Sequence, residues 1–229
     1  MSSLLFDPPL EALLDGLHAR SESQTGALAD YFARRAAEGS IDWNKFDDDA
    51  NRVLTDKLVA LDRDKARFCY QLCRALGAKR VVEAGTSFGV STLYLAAAVR
   101  DNLAAGGGRG VVIATENDPA KAARARETFG TAGLAEFIDL REGDLRETLK
   151  EIGGAVDFAL IDIWIPMARP ALELIAPALR LGAIVVCDNT AQFRGPYGDY
   201  FAFVDDPANG LRTMTLPFEG GLELTVRCD

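Results

Sequence analysis

The sequence has little of what metal-binding, nucleic-acid-binding and membrane proteins usually carry. It has one histidine and four cysteines in 229 residues, and no two cysteines have the CxxC spacing of a zinc site. Its formal net charge is −9, so we expect no basic face for nucleic acid or anionic membranes. No apolar run reaches about 18 residues, and the first ten residues lack the basic start of a signal peptide. We therefore expect reduced cysteines, a cytoplasmic location, and neither nucleic acid nor membrane as a partner.

What is present is a regular alternation of short apolar runs with helical patterns. Hydrophobic residues make up 48% of the chain and charged residues 26%, an ordinary globular composition. Apolar residues recur at helical spacing from Ala50 to Leu76, with a break expected near Asp62. The predicted strands are Arg80–Ala84, Gly110–Thr115, Phe137–Leu140, Val156–Ile161 and Ala183–Cys187. The helical patterns between them cover Ser91–Arg100, Pro119–Thr128, Leu145–Ile152 and Pro170–Leu181.

The end of the chain differs from this alternation. Leu211–Leu216 and Leu222–Val226 flank a Pro- and Gly-containing turn, which predicts an antiparallel hairpin. Strands alternating with helices predict parallel pairing with both sheet faces covered. We therefore expect an α/β fold with a doubly wound, mostly parallel seven-stranded sheet that ends in the hairpin. Residues 1–60 would form an N-terminal helical extension or lid, and residues 61–229 a Rossmann-like domain.

A glycine turn follows the first strand. It reads Glu83-Ala84-Gly85-Thr86-Ser87-Phe88-Gly89, and a helix opens near Ser91. The first strand–helix turn of an open α/β sheet is where a nucleotide-like cofactor docks, since backbone approaches closely only at glycine. The spacing is GxxxG rather than the GxGxxG of dinucleotide sites, and Glu83 would repel a pyrophosphate. An ammonium-bearing cofactor suits this turn better.

Acidic residues also end the next strands. A carboxylate at Glu116 can accept hydrogen bonds from both hydroxyls of a ribose, and Asp144 is placed to reach an adenine edge. Asp162 ends the fourth predicted strand, and Asp188 with Asn189 ends the fifth. Two carboxylates and an amide carbonyl suit a hard cation such as Mg²⁺, although Asp188 and Asn189 could equally cap and turn the chain.

These segments resemble the successive motifs of class I S-adenosylmethionine (SAM)-dependent methyltransferases. The motifs are VVEAGTSFGVSTLYLA, IATENDP, REGDL, ALIDIW and VVCDN, and more narrowly they resemble metal-dependent catechol and caffeoyl-CoA type O-methyltransferases. The resemblance implies that SAM is held by Glu83, Gly85 and Ser91 at its methionine end, by Glu116 at its ribose, and by Asp144 and Trp164 at its adenine. Ser87, Gly89 and Asp162 complete the predicted cofactor site.

The same resemblance implies that Asp162, Asp188 and Asn189 bind Mg²⁺ or another divalent cation, which chelates a catechol-like diol and lowers its hydroxyl pKa. One position departs from the family. Its general base is a lysine three residues after the first aspartate, where this chain has Ile165, so the catalytic base is unknown. Lys45, Asp199 and Tyr200 are weak alternatives.

The leading hypothesis is methyl transfer to oxygen on a small aromatic acceptor, assisted by a divalent ion, by an enzyme that could be a homodimer. The aromatic-rich segment Gln192–Phe203, with the cation Arg194, is the candidate acceptor wall, although the same residues equally suit a packing loop. The alternatives are a metal-independent methyltransferase, a non-catalytic SAM-binding module, and an NAD(P) oxidoreductase, which the GxxxG spacing disfavours. His18 is expected at the surface.

Overall fold

The computed structural model describes residues 4–45 and 47–229, so Met1, Ser2, Ser3 and Phe46 lie outside the described residues. The helices are α1 (Pro8–Ala37), α2 (Asp48–Leu54), α3 (Arg63–Leu76), α4 (Val90–Gly106), α5 (Pro119–Thr131), α6 (Leu145–Thr148), α7 (Ile165–Ile175) and α8 (Gly198–Val204). The strands are β1 (Arg80–Ala84), β2 (Val111–Glu116), β3 (Ile138–Glu142), β4 (Val156–Ile161), β5 (Leu179–Asp188), β6 (Leu211–Leu216) and β7 (Leu222–Arg227). Short 3₁₀ turns lie at Ala135–Phe137, Ala176–Ala178 and Pro207–Asn209.

The seven strands form one mixed sheet in the order β3-β2-β1-β4-β5-β7-β6. The first five strands pair in parallel, while β7 runs antiparallel to both β5 and β6. This confirms the doubly wound sheet and its C-terminal hairpin. The order reverses between β1 and β4, and ligands of open α/β sheets bind beyond the carboxyl ends of the strands at such a switch point.

Strand side chains alternate between two apolar cores, one on each face of the sheet. Val81 packs with residues of α1, α3, α4 and α5, whereas its neighbour Val82 packs with residues of α6, α7 and α8. By the same alternation, Val186 lies on the face of the sheet that packs against α3, and Cys187 lies on the opposite face. Asp188, two residues after Val186, is therefore expected on the side that α3 covers.

The break expected near Asp62 is confirmed, because Asp62 caps α3 by accepting hydrogen bonds from the amides of Asp64 and Lys65, and α2 ends before it at Leu54. Other boundaries differ from the prediction. The expected helix Leu145–Ile152 ends after four residues, at Thr148. The expected helix Pro170–Leu181 instead begins at Ile165 and ends at Ile175, and β5 begins at Leu179 rather than Ala183.

The prediction that His18 lies at the surface is wrong. His18 is on the buried face of α1 with 3% of its surface exposed, and its Nε2 lies 3.2 Å from the hydroxyl of Tyr94 on α4. Burial, with Arg63 second, lowers the pKa of His18 below its ordinary value. Among the described helices, none combines the length and apolarity that a membrane span requires.

Candidate active site

A cavity of about 1040 Å³ lies beyond the carboxyl ends of β1, β2, β4 and β5. Its lining comes from the turns that follow these strands, from the N-terminal helices and from the segment after β5. The strand-end lining includes Gly85, Ser87, Ser91, Glu116, Asp144, Asp162, Trp164, Asp188 and Asn189. The remaining lining includes Ser21, Thr25, Leu28, Phe32, Trp43, Leu54, Leu58, Phe193 and Tyr197.

The glycine turn after β1 is shaped by contacts that exclude side chains. Gly85 has a φ of +96°, and a Cβ there would overlap the carbonyl oxygen of Asp162. Gly89 has a φ of +88°, and a Cβ there would overlap the ring of Phe129. The predicted need for glycine at both positions thus has a steric reason, although only Gly85 lines the cavity.

Glu83 is fully buried behind this turn rather than at the cavity wall. Its carboxylate accepts hydrogen bonds from the hydroxyls of Thr86 (3.0 Å), Ser91 (2.7 Å) and Thr92. Burial raises the pKa of Glu83 and outweighs these three donors, which lower it. Glu83 therefore ties the turn to the start of α4, and any effect on a bound cofactor passes through Ser91 or the backbone.

Glu116 ends β2 and reaches back to the same turn. Its Oε2 accepts from the Ser87 amide at 2.7 Å, and its Oε1 accepts from the Asp118 amide at 2.8 Å. Burial raises its pKa against the effect of both amides. A carboxylate has about four lone-pair positions, so about two remain for a ligand.

Asp144 and Trp164 lie on the cavity wall where the turns after β3 and β4 begin α6 and α7. Asp144 caps α6 by accepting from the Arg146 amide, and it pairs with the Arg146 guanidinium at 2.5 Å, which lowers the pKa of Asp144. Of the nine predicted cofactor residues, seven line the cavity, and Glu83 and Gly89 lie behind it.

The predicted metal ligands Asp162, Asp188 and Asn189 all line the cavity. Burial, then Asp188 and Glu83, raises the pKa of Asp162 to about 8. Asp188, 5% exposed, also has a raised pKa because of burial. Its partner was not predicted: the Lys65 ammonium lies 2.5 Å from Asp188 Oδ1.

These side chains do not fit a divalent cation. The Asp188 Oδ1 accepts from Lys65, and its Oδ2 accepts from the Asn189 amide nitrogen at 3.0 Å, so both oxygens already have donors. An incoming divalent ion would meet the Lys65 ammonium at the oxygen it needs. Within residues 4–45 and 47–229, no three His, Cys, Asp or Glu side chains are grouped to hold a metal ion.

None of the groups considered as an alternative base lies on the cavity. Ile165, at the family's lysine position, does line it. Lys45 is exposed and pairs with Asp42 at 3.1 Å, and Asp199 is exposed on α8. Tyr200 is 1% exposed and packs in the core on the α7 side of the sheet.

The predicted acceptor wall is only partly on the cavity. Gln192, Phe193 and Tyr197 line it, whereas the Arg194 guanidinium stacks on the Phe201 ring, 3.3 Å from its centroid. The N-terminal segment completes the wall with residues that sequence reasoning did not assign. Trp43 packs on Phe193 with ring centroids 4.7 Å apart, and on Phe32 of α1 at 5.5 Å.

A seven-stranded sheet in this order, with its cavity at the switch point, defines the class of Rossmann-like methyltransferases. A methyltransferase domain family matches residues 82–190. The chain is 30% identical over 172 residues to the catechol O-methyltransferase of Mycobacterium tuberculosis, covering 73% of each chain. It is 30% identical over 158 residues to the catechol O-methyltransferase of Niastella koreensis, covering 63% of this chain and 67% of the relative.

Solved structures support the same fold. The O-methyltransferase of Bacillus cereus, in complex with S-adenosylhomocysteine (SAH), superposes with a TM-score of 0.66 at 20% identity over 78% of this chain and 87% of its own. TomG of Streptomyces achromogenes, in complex with SAM, gives 0.66 at 19% identity over 81% and 92%. The chain belongs to the SAM-dependent O-methyltransferases of the catechol and caffeoyl-CoA type.

Proposed function

We propose that this protein transfers the methyl group of SAM to a hydroxyl oxygen of a small aromatic acceptor. The observation that supports this is one cavity with two unlike walls. The strand-end wall carries the glycine turn and carboxylates, and the opposite wall carries the aromatic rings of Phe32, Trp43 and Phe193. A polar cofactor and a flat apolar acceptor can therefore meet within one cavity.

On the strand-end wall, the free lone pairs of Glu116 bind the ribose hydroxyls of SAM. Asp144 and Trp164 border the adenine, and the turn at Gly85 and Ser87 receives the methionine end. This assignment keeps the roles proposed from the sequence for these residues. The role of Glu83 changes: it stabilises the turn rather than binding SAM directly, because its buried carboxylate accepts hydrogen bonds from three hydroxyls.

The N-terminal extension covers the acceptor. Leu28 and Phe32 of α1, Trp43 of the connecting loop and Leu54 of α2 all line the cavity opposite the strand ends. These apolar side chains would shield a bound acceptor from water on their side of the cavity, which favours methyl transfer to the acceptor.

The reaction forms a bond between the acceptor oxygen and the methyl carbon while the carbon–sulfur bond breaks. The electron pair of that bond stays on sulfur, so the sulfonium becomes the neutral thioether of SAH, and the hydroxyl proton passes to solvent water. In relatives that hold a metal, a divalent ion acidifies the hydroxyl. The donors around Asp188 do not fit such an ion, so we assign no step to a metal.

The test uses SAM with a deuterated methyl group and a matched set of acceptors: a catechol, a phenol with one hydroxyl, an aromatic amine and a benzoate. Mass spectrometry should find the label as a methyl ether on a hydroxyl-bearing acceptor. Label found only on nitrogen or carboxylate would contradict the acceptor chemistry. Tight SAM binding without transfer to any acceptor would instead indicate a binding module.

A further inference from the structure

The position of Lys65 is unusual for a lysine. It is the third residue of α3, where the helix dipole disfavours a cation, and its side chain is 3% exposed. Lysine is almost never fully buried unless it is paired. The ion pair with Asp188, at 2.5 Å and 7% exposure of the aspartate side chain, supplies that partner.

The surroundings of this pair are acidic. Burial raises the pKa of both Asp162 and Asp188, and the carboxylates of Asp188 and Glu83 raise that of Asp162 further. Lys65 acts in the opposite direction on both aspartates. The ammonium therefore offsets negative charge that would otherwise attract a metal cation to the ends of β4 and β5.

A divalent ion in addition would overcompensate. The Lys65 ammonium already offsets the charge of one aspartate, so a divalent ion in addition would leave the cavity floor with a net positive charge. That positive charge would lie beside a cofactor whose own reactive centre is a sulfonium. Asp188 would also have to exchange its hydrogen bonds from Lys65 and Asn189 for coordination.

We infer that Lys65 takes the place of the divalent cation, so that methyl transfer in this chain is independent of metal. Lys65 acts through Asp188, which it neutralises and holds toward the cavity, and is thus a positioning residue. The acceptor then needs only one hydroxyl, because the second hydroxyl of a diol serves to chelate an ion and no ion takes part. This inference rests on the proposed methyltransferase function and concerns how its site handles charge.

The test is Mn²⁺ binding, followed by the electron paramagnetic resonance signal of the free ion. The wild-type protein should bind no Mn²⁺ at this site at concentrations up to about 1 mM, which is on the order of the dissociation constants of weak divalent-ion sites in proteins. Lys65→Ala should expose the two aspartates and bind Mn²⁺ at least tenfold more tightly. Lys65→Arg keeps the charge and should resemble the wild type, and Lys65→Ala combined with Asp188→Asn should lose the gain.

Lys150→Ala is the matched control, because it removes a lysine from an exposed ion pair with Glu147. It should leave Mn²⁺ binding unchanged. The wild-type measurements also decide the matter if the Lys65 variants do not fold. Micromolar Mn²⁺ binding by the wild type, or methyl transfer abolished by EDTA and restored by Mg²⁺, would overturn the inference while leaving the methyltransferase function intact. A wild type that transfers no methyl group would overturn the function alone, since Mn²⁺ binding is measured without turnover.

Discussion

Replacing Glu116 with glutamine should weaken binding of SAM and SAH without unfolding the protein. The carboxylate already accepts from the amides of Ser87 and Asp118, at 2.7 and 2.8 Å, which leaves about two lone-pair positions for ribose hydroxyls. A glutamine has one acceptor oxygen, so at least one hydrogen bond to a charged group is lost. Such a bond is worth about 1.5–3 kcal/mol, which corresponds to a dissociation constant roughly 10- to 150-fold higher.

Isothermal titration calorimetry with SAH measures this change, and Glu142→Gln is the matched control. Glu142 ends the neighbouring strand at the register position of Glu116, but it pairs with Arg126 outside the cavity. We expect Glu142→Gln to bind SAH within about twofold of the wild type, since exposed ion pairs contribute about 0–1 kcal/mol to stability and none of that involves the ligand.

A second ligand separates the ribose contact from disturbance of the turn. An SAH analogue without the 2′- and 3′-hydroxyls should bind the wild type more weakly than SAH, and Glu116→Gln should reduce that difference. Equal losses for both ligands would mean that the substitution acts through the Ser87 amide alone. Unchanged SAH affinity in a folded Glu116→Gln variant would refute the ribose assignment altogether.

Three further substitutions, the first with a matched control, test other parts of the structure. Gly85→Ala should lower the free energy of unfolding by more than about 2 kcal/mol, because left-handed backbone costs a non-glycine residue about 1–2 kcal/mol even before the steric overlap is counted. Gly16→Ala, at an open helical position, should instead raise the free energy of unfolding by about 0.5–1 kcal/mol. Denaturant titrations measure both changes. Because burial and then Arg63 lower the pKa of His18, the unfolded chain takes up its proton first as the pH falls below about 6.5, and stability is lost there. His18→Gln should flatten this loss by up to about 1.4 kcal/mol per pH unit, and an unchanged slope would contradict the burial argument. Phe193→Ala should raise the KM for the acceptor by roughly tenfold, which is near the lower end of the about 1–3 kcal/mol that an aromatic contact contributes. The affinity for SAH, measured by calorimetry, should not change. If the affinity for SAH falls in parallel, the ring borders the cofactor instead.

Local patterns predict most of the fold because each element carries its own signal. The β-branched strands, the turn between β6 and β7 and the acids at or beside the ends of the five parallel strands are all visible within a few residues of sequence. The errors lie where a signal has two interpretations. Pro166 and Pro170 both suit a first helical turn, and the structure begins α7 at Ile165 with Pro170 inside the helix. The strand β5 extends back to Leu179, although Leu181 is 66% exposed and Gly182 has a φ of +74°.

Contacts between distant segments escaped prediction because they depend on how the helices are rotated against the sheet. Lys65 and Asp188 are 123 residues apart, and His18 and Tyr94 are 76 apart. A signal for Lys65 does exist in the sequence. It falls at helical spacing between Leu61 and the pair Cys69 and Cys73, all of which are buried, so it is a charge on the apolar face of α3. Such a residue needs a buried partner of opposite charge, but the pattern does not say which aspartate provides it.

The electrostatics of the cavity floor connect the ion pair of Lys65 and Asp188 with the absence of a lysine at Ile165. The resemblance to metal-dependent O-methyltransferases implies one ion that neutralises the aspartates and acidifies the acceptor, and a lysine three residues after the first aspartate that takes the proton. Here that lysine position is the apolar Ile165, which lines the cavity, while a lysine from α3 lies behind Asp188. This cation lies on the buried side of Asp188 and does not line the cavity. It still neutralises charge there, but it is too enclosed to touch an acceptor, so the groups that face the acceptor are carboxylates rather than cations. An acceptor hydroxyl that donates a hydrogen bond to a carboxylate is therefore better suited to this floor than a dianionic chelate, which two aspartates would repel.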